Sequence, residues 1–120
     1  MSYDLAVWEG DRPADDETAG EVFSNLYDQY MGDDEAPPHP PTDRIATYVA
    51  ALLDRWCDIT EDDEGTSPWA TGPLIGEARG PLIHFPMSWS RAGEASAYAA
   101  RLADSMGLIC YDVQWAQLRS

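Results

Sequence analysis

The sequence predicts an α+β domain: a two-layer sandwich with a four-stranded, mainly antiparallel sheet and three helices on one face, in the order β-α-α-β-β-α-β. Three observations predict it. Apolar residues alternate at a period of two in residues 2–8, and short apolar segments lie on either side of Gly80-Pro81 and at 108–113. They recur at a helical period in three separate blocks. Gly, Pro and acidic clusters separate these stretches, with no internal repeat. At 120 residues the chain makes one domain, 1–120. A chain of this size buries about two-thirds of its unfolded surface, enough for a core without staples.

The elements follow in order. In residues 2–8, Tyr3, Leu5 and Val7 alternate with Asp4, Ala6 and Trp8, which reads as a strand closed by Glu9-Gly10-Asp11-Arg12-Pro13. Over 14–31, Ala19, Val22, Phe23, Leu26, Tyr27 and Tyr30 form one helical stripe, with Asp15, Asp16 and Glu17 in the first turn, where the helix dipole favours negative charge. Gly32 is the expected stop. The four prolines of 33–42 impose an extended connector. A second helix then starts at Thr42 as N-cap and carries Ile45, Tyr48, Val49, Leu52, Leu53 and Trp56. Residues 58–72 read as a long loop. A hairpin is expected around Gly80-Pro81, with Leu74-Ile75-Gly76-Glu77-Ala78 and Leu82-Ile83-His84-Phe85 as its arms and Pro86 at a strand end or edge. Ser88 or Ser90 is the expected cap of a third helix, whose inner face holds Ala95, Tyr98, Ala99, Leu102 and Met106 and which ends at Gly107. Residues 108–113 close the sheet, and 114–120 read as a tail.

The charge is lopsided. Residues 1–64 hold 18 acidic and three basic residues, a net of −15, whereas residues 65–120 hold four of each. All seven basic residues are Arg. Such a charge repels phosphates and anionic membrane surfaces, so neither nucleic acid nor membrane is an expected partner. It attracts a cation or a basic protein. The carboxylates concentrate in 11–17, in Asp33-Asp34-Glu35 and in Glu61-Asp62-Asp63-Glu64, segments that flank the two N-terminal helices. They read either as a solvated face or as a docking face. Trp69, in a Pro-flanked loop beside the second run, is the candidate aromatic anchor, or else a Trp folded back over the core edge.

Catalytic patterns are absent from the sequence. His39 has no second His nearby for a zinc site. The run from Asp58 puts Asp63 and Trp69 where a calcium loop needs Gly and Glu. Residues 72–80 lack phosphate-loop spacing. His84 reads as a packed strand histidine, and Cys110 would pair with it only if the strands brought them together. Cys57 and Cys110 read as buried free thiols. No enzymatic activity, metal or cofactor is therefore expected. With no basic, apolar leader and no apolar run of about 18 residues, the expected location is the cytoplasm.

The opening Met1-Ser2-Tyr3-Asp4-Leu5-Ala6-Val7-Trp8, the stretch Trp89-Ser90-Arg91-Ala92-Gly93-Glu94-Ala95 and the closing Gly107-Leu108-Ile109-Cys110-Tyr111-Asp112-Val113-Gln114 resemble a group of small acidic bacterial proteins. Some of these look like the immunity partners of polymorphic or contact-dependent toxins. The resemblance implies a binding protein that neutralises a toxin domain through its acidic face. It assigns no functional residues. The other reading is a housekeeping or regulatory α+β domain, with a homodimer open to it through exposed sheet edges.

Overall fold

β1 (Ser2–Trp8) is the middle strand of the sheet, because both of its faces are apolar. In this computed structural model, which describes residues 2–30, 39–62, 65 and 67–119, Leu5, Ala6, Val7 and Trp8 are all at most 1% exposed. The other strands are β2 (Ala78–Arg79), β3 (Leu82–Ser88), β4 (Ile109–Asp112) and β5 (Gln117–Arg119). They lie in the order β2-β3-β1-β4-β5, with every neighbouring pair antiparallel. Since β3 and β4 both oppose β1, they run parallel to each other on its two sides.

Three helices cover the sheet: α1 (Asp16–Tyr30), α2 (Asp43–Arg55) and α3 (Ala92–Ser105). They do not share a face. Leu5 and Val7 point with Ile83, Phe85, Met87 and Cys110 into a core closed by α2 and α3. Ala6 and Trp8 point with Leu82, Ile109 and Tyr111 to the other side, where Ala19, Val22, Phe23 and Leu26 of α1 meet them. The expected two layers are thus three, α2/α3, sheet and α1. A strand whose successive residues are all buried needs cover on both sides.

Local sequence explains the element ends. The Asp15 carboxylate accepts from the Thr18 N–H at 2.8 Å and so caps α1, and hydrogen bonding from the Thr18 side chain and backbone holds its pKa below the usual value. Thr42 Oγ1 accepts from the Ile45 N–H and caps α2, as its position predicts. α3 departs from expectation. Ser88 ends β3, a short 3-10 turn spans Trp89–Arg91, and neither Ser88 nor Arg91 makes a side-chain cap. Its C-terminus closes on Gly107 (φ 72°), with Gly107 N–H on Asp104 O and Leu108 N–H on Ala103 O, a Schellman pair.

Three further readings change. Residues 74–77 form a 3-10 turn rather than a strand, leaving the first arm of the hairpin only two residues long. Pro86 sits inside β3, opposite Asp4. Its outer flank there meets only the single bridge Trp69–Met87, with Ala70 N–H on Pro86 O and Ser88 N–H on Pro68 O, so the missing N–H breaks no ladder. The tail contains a fifth strand, β5, pairing Arg119, Leu118 and Gln117 with Cys110, Tyr111 and Asp112. Among the described residues no helix is long and apolar enough to cross a membrane.

Candidate interaction surface

The residues expected to form the docking face separate. Asp33, Asp34, Glu35, Asp63 and Glu64 lie outside the described residues. Glu61 is exposed, at the end of a 3-10 turn. Asp62 serves its own loop, accepting from the Ser67 N–H at 2.9 Å and facing the Cys57 thiol. Asp58 is buried and holds the Leu74 N–H at 2.9 Å. Two carboxylates of that acidic stretch therefore fold the 58–74 connection.

Trp69 is not a surface anchor. It is 0% exposed, its Nε1 donates to Trp56 O at 3.2 Å, and its ring meets Trp56 and Phe85 edge-on at 5.9 and 5.8 Å. Its backbone forms a bridge with Met87 of β3, closed by Ala70 N–H on Pro86 O and Ser88 N–H on Pro68 O, and its indole lies in the core.

The acidic surface that is in place is the outer side of α1. Glu17, Glu21 and Asp28 are exposed and spaced to share one side of the helix, opposite Ala19, Val22, Phe23 and Leu26. α1 contains no basic residue. None of these three carboxylates joins an ion pair among the described residues. An open groove along this helix is lined by Glu17, Gly20, Glu21, Ser24 and Asn25. Elsewhere three of the seven arginines form ion pairs among the described residues: Arg44 faces Glu9 at 3.7 Å, Arg55 faces Glu94 at 3.3 Å, and Arg119 faces Asp112 at 3.5 Å. The 17, 21, 28 spacing was available in the sequence as the complement of the apolar stripe.

A second surface feature lies at the end of the sheet where β1 begins and β4 stops. Trp115, in the β4–β5 turn, is 64% exposed, and Trp89, after β3, is 48% exposed. Beneath them Asp112, buried, accepts from Tyr3 OH, from Arg119 and from the Trp115 N–H. Arg119 also reaches Tyr3 OH and Ser96 Oγ. Burial and the Asp112 carboxylate push the Tyr3 hydroxyl up to about 12. The network ties α3, β1, β4 and β5 together.

His84 and Cys110 are not a nucleophile pair. His84 sits opposite Ala6 on the α1 face, while Cys110 sits opposite Val7 on the α2/α3 face, with β1 between their strands. Burial pushes the Cys110 thiol up to about 12, away from the reactive thiolate. His84 lies 3.7 Å from Asp4 and contacts the rings of Phe23 and Tyr27. The Phe23 ring also meets Tyr111 at 5.7 Å, filling the space between Tyr111 and His84. Cys57, expected buried, is exposed, and both cysteines are free thiols. Among the described residues no cluster of three or more His, Cys, Asp or Glu side chains is arranged to hold a metal ion.

The sheet edges are covered. Leu118 N–H, on the outer side of β5, goes to Asp16, and Gly80, after β2, exchanges bonds with His39 O and the Thr42 N–H. The rest of β3 carries the 68–70 bridge. Compared with family models, with curated proteins and with solved structures, the chain matches none.

Proposed function

We propose that this chain is an immunity-type binding protein that blocks a bacterial toxin domain by docking its acidic face on a basic contact surface. The observation that carries the reading is the run of Glu17, Glu21 and Asp28 along the outer side of α1, which joins no ion pair among the described residues. The helix dipole favours Glu17 in the first turn, but stability does not call for the rest of the stripe: Glu21, one turn on, repels Glu17, and Asp28 stands near the C-terminal end, where the dipole disfavours a carboxylate. A partner that presents Lys and Arg relieves that repulsion and is steered to the face over a Debye length. Toxin domains that cleave nucleic acid carry such basic surfaces because they bind phosphates. The mechanism is occlusion: the acidic helix occupies the surface that the toxin's own substrate needs. It requires no catalytic group from this chain.

The experiment is to co-express the chain with the product of the neighbouring gene, isolate the complex, and follow association by stopped flow as salt rises. A complex whose on-rate falls with salt, and falls further in the double variant Glu17→Gln/Glu21→Gln, is the expected result. Failure to form a complex, or an on-rate indifferent to both, sinks the reading.

A further inference from the structure

We propose that Trp115 is the aromatic anchor of the docking surface, its indole face taking a Lys or Arg side chain of the basic partner. The proposal rests on the function proposed above and adds the contact that gives it affinity. Four of the five tryptophans have internal ring contacts: Trp8 with Phe23 and Tyr111, Trp56 with Trp69 and Tyr98, Trp69 with Phe85, and Trp89 with Tyr3. Among the described residues Trp115 has none and is the most exposed large apolar side chain.

Its exposure is held in place rather than loose. The Trp115 N–H donates to the buried Asp112 carboxylate at 3.1 Å. Ala116, the next residue, has a φ of 53°, a left-handed conformation that an alanine adopts only under constraint from its surroundings. Three residues on, the Leu118 N–H is fixed by Asp16. A tryptophan on a turn tied at both sides loses little conformational freedom when a partner covers it, which favours it as an anchor.

The same tie identifies the occupant. Asp16 is the first residue of α1, so β5, the strand that follows the Trp115 turn, is joined to the helix end that carries Asp15, Asp16 and Glu17. An exposed indole on a turn three residues before that acidic junction attracts a cationic side chain through its ring quadrupole, and the chain's net charge of −15 adds to the attraction. It repels an acidic or phosphorylated partner.

A nona-arginine peptide titrated into the intact protein at low salt tests this. Wild type binds, with the indole N–H cross-peak of Trp115 shifting more than those of the four other tryptophans. Trp115→Ala weakens binding about tenfold while Trp115→Phe retains most of it, and both keep the wild-type unfolding midpoint. If Trp115→Ala binds as wild type while Glu17→Gln/Glu21→Gln binds weakly, the anchor is refuted and the acidic-face reading stands. If wild type does not bind the peptide at all, both fall.

Discussion

The Asp16 carboxylate accepts the Leu118 backbone N–H at 2.9 Å across 102 residues of sequence, pinning the first turn of α1 to the outer edge of β5. This one bond does two things. It fastens α1, of which only Ala19 is fully buried, to the sheet. It also occupies an outward N–H that would otherwise template another strand.

Replacing Asp16 by Ala therefore has two expected outcomes. Stability falls by about 0.5–1 kcal/mol, the value of one hydrogen bond that water can partly replace. The freed edge also allows association, so light scattering shows wild type as a concentration-independent monomer and the variant with a mass that rises with concentration. A wild type that dimerises would mean that the covered edges do not govern association.

Trp69 and Trp115 are expected to respond oppositely to truncation. Trp69→Ala opens a cavity between Trp56 and Phe85 and orphans Trp56 O, at a cost of about 3–5 kcal/mol in chemical unfolding. Trp115→Ala removes a side chain that is 64% exposed and shifts stability by about 0.5 kcal/mol or less. Partner binding should reverse the ranking, with Trp115→Ala the more damaging once the residual folded fraction is accounted for.

His84 gives a pH dependence whose sign follows from its surroundings. Burial against Phe23 and Tyr27 lowers its pKa below the ordinary 6.5, although Asp4 and Glu77 pull the other way. The folded form therefore favours the neutral imidazole. As pH falls through 6.5 the unfolded chain binds a proton that the folded chain refuses, and stability declines until the lower folded pKa is passed. Unfolding midpoints of wild type and His84→Phe, compared across this window, should diverge, with the variant losing less as the solution is acidified. Parallel curves would place the pH sensitivity elsewhere.

Much of this architecture was legible in the sequence, and the misses have identifiable causes. The three helices are visible because a period of 3.6 persists over several turns, and Thr42 marks the start of α2 and Gly107 the end of α3 by unambiguous chemistry. Alternation in β1 also shows, but three helices on one face leave one of its two sets uncovered, when both are buried: Ala6 and Trp8 are as buried as Leu5 and Val7. That equality is the sequence signature of a strand covered on both faces, and it would have moved one helix across the sheet. β5 escaped because three residues, Gln117–Arg119, are too few to display a period, and what fixes them is a carboxylate at the other end of the chain. For the surface, charge totals drew attention to acidic runs in loops. Burial assigned Asp58 and Asp62 to holding a loop and left Glu17, Glu21 and Asp28 facing outward. No count of carboxylates separates those roles, because hydrogen bonding to Leu74 and Ser67 is a tertiary property.

Gly80 and Gly107 offer a last discrimination, between backbone strain alone and strain with a clash. Both have positive φ, 57° and 72°. A methyl at Gly107 meets nothing within 4 Å, so Gly107→Ala should cost about 1 kcal/mol, the penalty of a left-handed alanine. A methyl at Gly80 would stand 2.8 Å from the Tyr30 ring, at the last residue of α1. Gly80→Ala should then cost more, by displacing Tyr30 and loosening the end of a helix that is already held lightly. The double variant Gly80→Ala/Tyr30→Ala isolates the steric part: if the two losses sum to more than the double variant shows, the ring and the turn are coupled as the structure places them. Strict additivity in urea unfolding would mean that Tyr30 does not rest on the β2–β3 turn in solution.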